Sequence, residues 1–404
     1  MPGALQIAPV PRDAEPKFTE ADLRHWNLLA DFRQRLAQAA KGSALHRSFQ
    51  DPKRLLWVAD YLSLFLFGLL NPVVRTMRGL CAASDLTRVR QEVCRRHVSL
   101  GAFSECQHLL DPALLEKVFV DLAAELPDQT QGDWRLRTHR WQARDGSLFA
   151  ALPRMSWALY GGGRGVDAKA VRLHLNFNVL DLKPVRAQVT EGRRCERAVW
   201  QEHWQRGEAY IGDRYFAESY RLLDQLQEKD CVYVLRLREP ATITVEEELP
   251  VSQADRRAGV LRQAWARLGA TARTRSGRLR VIWVESVRGE ALILLTNLAP
   301  EALPAELVVL LYRRRWQVEL FFRWIKCLLG CGHWLAESPS GATLQLYLAL
   351  IAAVLLQLYT GRRPTKRMLE LIRFYLLGVA SPEELSRGLH RELTELAKGA
   401  AQKS

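Results

Sequence analysis

One stretch constrains the chain more than any other: Leu311 to Lys326, reading LYRRRWQVELFFRWIK. It holds no proline or glycine and is long enough for about four turns, so it reads as a helix within a helical segment over 304–330. At about 100° per residue, Tyr312, Arg315, Glu319, Arg323 and Lys326 share one face. A separate arc holds Leu311, Val318, Phe321, Phe322, Ile325, Leu328 and Leu329, with Arg314 as its only charged member. Such a helix packs its apolar arc on a core and aims a basic face with a single carboxylate elsewhere. By composition alone, the same residues more readily make a solvated face of i,i+4 ion pairs, Arg315–Glu319 and Glu319–Arg323.

Charge points the same way as that face. The 404 residues carry a net +14, which suggests a polyanionic partner, most simply nucleic acid. The length allows two or three domains. The opening MPGALQIAPVPRDAEP lacks the basic start and apolar core of a signal peptide, and 1–17 reads as a disordered lead. Leu55–Leu70 contains Asp60, and Leu344–Tyr359 contains Gln345 and Gln357. Both runs are shorter than the roughly 20 residues of a membrane span, so both are expected to be buried core helices and no membrane is implied. The seven cysteines are scattered. Cys327, Cys331 and His333 lack a fourth zinc ligand, and the pattern suits a reducing cytoplasm.

Helices are expected over 19–41, 52–70, from Ser84 onward (carrying Arg88, Arg90, Arg95 and Arg96) and over 111–126. From Trp134 the texture turns to β: RLRTHRWQA, SLFAALP, RLHLNFNVL and RAQVT. A helix over 196–206, a strand EAYIGD ending at Asp213 and a helix over 215–228 follow. CVYVLRL, ATITVEEEL, RLRVIWVESV and ALILLTNL read as strands, with a helix over 255–268 between them. Helices over 342–360, 365–378 and 382–398 close the chain. The whole predicts an α/β fold with a mixed sheet. Gly161, Gly162, Gly163 and Gly165 form a loop without the pattern of a phosphate-binding P-loop. Arg273, Arg275, Arg278 and Arg280, with Ser and Gly among them, suit a phosphate-contacting loop.

Two-metal phosphoryl transfer needs hard oxygen ligands converging from separate elements. Asp145 stands at the start of an expected strand, Asp213 at the end of another, and Glu319 is the one acid on the basic helix face. An Asp-Gly pair such as Asp145-Gly146 is also an ordinary turn signal.

Tyr312-x2-Arg315-x3-Glu319-x6-Lys326 resembles the YREK signature of bacterial insertion-sequence DDE transposases, the branch called insertion-sequence family four, which includes the Tn-five-like enzymes. DGS at 145–147 resembles the block holding the first catalytic Asp, and GDRYF at 212–216 the block holding the second. The intervals are 68 residues (145 to 213) and 106 (213 to 319). The resemblance implies an RNase H-like mixed-sheet catalytic core over 131–335, interrupted by a β-rich insertion over about 231–300. It further implies a helical DNA-binding region over 18–130 and a C-terminal helical region over 336–404. Asp145, Asp213 and Glu319 would hold two Mg²⁺ ions, with Mn²⁺ able to substitute. Tyr312, Arg315 and Lys326 would hold phosphates, joined by Arg323 from the helix face. The partners implied are double-stranded DNA (terminal inverted repeats and target) and a second copy of the chain, in a bacterial cytoplasm. Water would cleave the strand and the freed 3′-hydroxyl would attack target DNA. Hairpin-forming relatives carry a Trp where this chain has Leu292; Trp283, one strand earlier, is a candidate substitute. An inactive DNA-binding derivative and a stand-alone nuclease on the same core are the alternatives.

Overall fold

The computed structural model describes residues 58–401 apart from 72, 75, 129–132, 162–167, 272–275, 286–291, 330–332 and 378, together with Phe32, Gln34 and Gln38, which are helical. The expected lead over 1–17 and most of the first helix lie outside the described residues. The chain divides into two compact units. One comprises Met1–Leu126, Phe149–Ala170 and Trp324–Ser404; the other comprises Pro127–Leu148 and Val171–Arg323.

The first unit is helical. Its N-terminal helices are α1 (Val58–Leu70), α2 (Met77–Ala83), α3 (Thr87–Glu92), α4 (Leu100–Leu109) and α5 (Ala113–Glu125). The single basic helix expected from Ser84 is instead a short α3, and Arg95 and Arg96 follow it. Thr76 and Ser99 cap α2 and α4 by accepting from Gly79 N and Ala102 N. Tyr61, Phe65 and Phe103 stack at centroid distances of 4.7–5.9 Å.

The first unit continues through α11 (Pro339–Thr360), α12 (Lys366–Leu376) and α13 (Pro382–Ala401). The α11 helix has 22 residues and begins at Pro339, ahead of the start expected at 342, because Ser338 caps it there: its side chain accepts from Gly341 N. By length and composition it could cross a membrane, and 89% of its apolar window is buried within the protein. It packs on α1, α4 and α5. Trp157 Nε1 donates to Glu337 O at 2.7 Å, and Trp334 Nε1 to Ala150 O at 2.7 Å, which tie the 149–170 segment to the approach to α11.

The second unit is built on a mixed sheet. Among the described residues, nine strands form it in the order β3-β2-β1-β4-β5-β9-β8-β7-β6. They are β1 (Trp141–Ala150), β2 (Ala170–Asn178), β3 (Lys183–Glu191), β4 (Ala209–Gly212), β5 (Val232–Arg236), β6 (Ile243–Leu249), β7 (Val260–Leu268), β8 (Leu279–Val284) and β9 (Leu292–Thr296). β4 pairs in parallel with both β1 and β5, while β2–β3, β5–β9, β9–β8, β8–β7 and β7–β6 are antiparallel. The strands within 231–300 continue this sheet.

Three expectations change here. Trp134–Thr138 is a 3₁₀ turn. Asp145-Gly146 is no turn: one strand runs through it, so Asp145 lies mid-strand. Residues 260–268 form β7, and of the expected 255–268 helix only 255–257 are helical, as the end of α8 (Gln253–Arg257). VLRQAWARL is rich in helix formers, but pairing with β6 and β8 on both sides overrides propensity.

Helices pack on the sheet. α6 (Glu196–Gln201) and α7 (Tyr220–Glu228) lie on one face, where Trp200, Tyr210, Phe216, Leu222, Leu226 and Tyr233 form a core cluster. α9 (Ala305–Arg314) and α10 (Trp316–Leu329) follow β9. Phe321 of α10 meets Phe177 of β2 at 5.3 Å. The single helix expected over 304–330 is therefore two, interrupted at Arg315, whose backbone stays helical at φ −50°, ψ −35°. Tyr312, Arg315 and Glu319 of the expected face stay together across that point.

Candidate active site

Side-chain alternation sends Asp145 to one face of β1 and its neighbours Arg144 and Gly146 to the other. The parallel register of β1 and β4 pairs Ala143 with Ile211. Asp145 and Asp213 each stand two residues further along, at corresponding positions of neighbouring strands. Asp213 follows the last residue of β4 and opens a turn, its Oδ1 accepting from Tyr215 N at 3.0 Å.

The third acid arrives from the helices. Arg315 Nη2 donates to Glu319 Oε1 at 2.7 Å, and its Nη1 lies 3.7 Å from Asp145 Oδ2. The guanidinium also sits 5.8 Å from the centre of the Tyr312 ring. One cation thus gathers the first and third acids from segments 170 residues apart in the chain (145 and 315). Its Nε is buried with no partner among the described residues, which leaves a donor that costs about 1–3 kcal/mol while unmet.

Burial shifts the charges of this group. The Asp145 carboxyl is pushed up to about 7 by burial, against the pull of Arg315 and the Gly146 N–H, while the negative charges of Glu196 and Asp213 add to the rise. Burial raises the Tyr312 phenol. Burial works to lower the Arg315 guanidinium, but Tyr312, Asp145 and Glu319 outweigh it and the group is held fully charged.

The other expected contacts are dispersed. Arg323 is exposed on α10. Lys326, assigned to the helical unit, places its ammonium 5.4 Å from the centre of the Phe149 ring of that unit. Arg273 and Arg275 lie outside the described residues. Arg278 pairs with Glu246 and Glu247 and stacks 5.0 Å from the Trp265 ring centre. It belongs to a cross-strand ladder with Arg267–Glu246 and Arg262–Glu248. Arg280 is fully buried, donating to Gln263 Oε1 and Leu303 O, so it is no part of an exposed loop. Trp283 is half-buried beneath Arg262, 4.6 Å from its guanidinium, and Leu292 opens β9.

Sequence reasoning missed Glu196. It opens α6 and pairs with Arg172 of β2; nothing in its local sequence marks it out from any acid in a first helical turn.

Among the described residues, no three acids, histidines or cysteines are gathered as a ready metal site. The donor set still has the right chemistry for a hard divalent cation: Asp145, Asp213 and Glu319 offer carboxylate oxygen only. Arg315 bridges two of the three.

The chain is 27% identical over 204 residues to the "Probable transposase for insertion sequence element IS5377" of Geobacillus stearothermophilus, covering 50% of this chain and 52% of that protein. It is 36% identical over 96 residues to the "Putative transposase y4zB" of Sinorhizobium fredii, covering 24% of this chain and 26% of that one. It therefore spans about half the length or less of these relatives. Among solved structures, a piggyBac transposase synaptic complex with hairpin DNA is similar at a TM-score of 0.43 and 11% identity, over 92% of this chain and 81% of that one. A family model described as the transposase DDE domain matches residues 133–355, which include Asp145, Asp213 and Glu319. That match covers more than half of the chain, and the protein belongs to the transposase DDE domain family.

Proposed function

We propose that the protein is an insertion-sequence transposase of the YREK-bearing branch, family four, with an RNase H-like core. It binds the terminal inverted repeats of its element, cleaves a strand there and joins it to target DNA. The observation that carries this reading is the bridge from Arg315 to both Asp145 and Glu319, with Asp213 in register beside Asp145.

Asp145, Asp213 and Glu319 would hold two Mg²⁺ ions, or Mn²⁺ in their place. When bound, such ions activate the attacking oxygen and neutralise charge on the leaving one. The chain's own groups do the rest. Arg315 has a buried Nε–H, unpartnered among the described residues, to offer a phosphate oxygen, and its planar fork suits that geometry. Tyr312 braces that guanidinium, and Arg323 and Lys326 supply further positive charge along the strand. The protein would act in the cytoplasm on DNA, as a homodimer that pairs two ends.

The test uses the full chain and a duplex carrying the element's terminal repeat with its flank. Nicking at the repeat end that needs Mg²⁺ and stops with EDTA is expected. Binding should weaken steeply between roughly 50 and 200 mM salt, as when several phosphates are neutralised. Binding that ignores salt, or a bound duplex left intact in Mg²⁺, would overturn the reading.

A further inference from the structure

The turn between α11 and α12 has no part in the chemistry described above. Residues 361–367 read GRRPTKR, four cations with no acid among them. The turn is fixed at both ends. Gly361 ends α11 in the left-handed region, at φ +66°, ψ −2°, which glycine enters without steric cost. Thr360 Oγ1 lies within hydrogen-bonding reach of Arg362 O, and Pro364 is buried. Thr365 caps α12 by accepting from Met368 N at 3.2 Å.

The four cations differ in their partners. Arg367 is already paired, its Nε 3.3 Å from Glu392 Oε2 and its Nη1 3.8 Å from Glu395 Oε2. Glu392 also accepts from Thr365 Oγ1 at 3.4 Å, so both of its oxygens are engaged. Among the described residues no carboxylate pairs with Arg362, Arg363 or Lys366. Lys366 is exposed, whereas Arg362 and Arg363 are half-buried, and Arg362 Nε is buried with no hydrogen-bond partner among the described residues. Burial lowers both guanidiniums; Glu392 acts to raise Arg362, while the charge of Arg362 adds to the fall of Arg363. Two adjacent charges are thus drawn partly out of water with no anion to receive them, which costs the fold free energy. The helix offers no acceptor to the first N–H groups of α12, at Lys366 and Arg367, and a helix start favours negative charge.

Phosphate oxygens accept from a guanidinium fork, an ammonium and a helix start alike. A single free phosphate would serve part of this set, and a polyanion serves all of it. The net charge of +14 and membership of the transposase DDE domain family make nucleic acid the polyanion with most support. We propose that the α11–α12 turn, through Arg362, Arg363 and Lys366, is a contact for the DNA backbone, carried by the helical unit and indifferent to base sequence. This rests on the reading of the chain as a DNA-binding transposase.

The experiment titrates the full chain against two labelled duplexes, one with the element's terminal repeat and one of unrelated sequence, by fluorescence anisotropy from about 50 to 200 mM salt, with melting alongside. Arg363→Gln and Lys366→Gln should each weaken binding roughly 10-fold on both duplexes. Each should also make the dependence of log K on log salt shallower by about 1. Arg363→Gln should melt at or above the wild-type temperature, because it removes one of two guanidiniums held together without an acid. Arg391→Gln, 72% exposed on α13 and paired with Glu395, removes the same charge from an acid-paired residue and should bind as wild type does. Unchanged affinity and slope in both turn variants would overturn the proposal. So would a loss that tracks a lowered melting point, a loss confined to the terminal-repeat duplex, or an equal loss in Arg391→Gln. Should Arg363→Gln not fold, the exposed Lys366→Gln decides by the same criteria. Failure of the underlying reading looks different: wild type would bind neither duplex, or would bind both without regard to salt.

Discussion

Asp145 is held where its charge is unwelcome. Its carboxyl is pushed up to about 7 by burial, so the fold favours the protonated form below that pH, while the unfolded chain ionises near 4. A raised carboxyl contributes stability that is fully present below the unfolded value and is lost as pH rises through the folded one. Asp145→Asn in EDTA should therefore be more stable than wild type at pH 8, on the order of 2 kcal/mol. That advantage should fade as pH falls through 7 toward 4. Chemical denaturation of both proteins across this range measures it, and a pH-independent difference would argue against a buried, functional carboxyl. Arg315 is the counterweight at this scale. It is 14% exposed and holds Glu319 and Asp145 at once, a demand that a surface ion pair would not explain.

At the scale of elements, the site depends on how β1 and β4 lie side by side and on how β4 ends. Gly212 closes β4, and a Cβ there would lie 2.8 Å from Leu235 Cδ2 and 2.9 Å from Phe216 Cδ2. Gly212→Ala should cost about 1–3 kcal/mol by overpacking and shift the turn that carries Asp213. Melting and cleavage assays should show cleavage falling further than DNA binding; wild-type stability and cleavage would count against this packing. Asp145 and Asp213 were legible through the DGS and GDRYF blocks, and the structure shows that their 68-residue interval is also the offset of the β1–β4 register. The helix face of Tyr312, Arg315 and Glu319 was legible because it follows from helical period alone. The strand through Asp145-Gly146 was not, since the reason for glycine there is Glu196, 50 residues later in the chain (146 and 196). Nor was β7, whose local preference is helical and whose strand state comes from its neighbours. The break at Arg315 has no proline or glycine to announce it.

For the whole molecule, the helical unit and the sheet unit serve different needs. The first buries α11 almost completely among α1, α4 and α5; the second carries all three acids and Arg315. The net charge of +14 suits a polyanionic partner, and membership of the transposase DDE domain family makes DNA the reading with most support. The central claim is that Asp145, Asp213 and Glu319 act as one catalytic set. The most direct measurement compares wild type with Asp145→Asn, Asp213→Asn and Glu319→Gln, scoring terminal-repeat binding and Mg²⁺-dependent strand cleavage on the same duplex. Each variant should bind the repeat about as well as wild type and cleave at least roughly 1,000-fold more slowly, as expected when groups that act as a unit lose one member. Cleavage at the wild-type rate by any one of the three would remove that residue from the set and contradict the account.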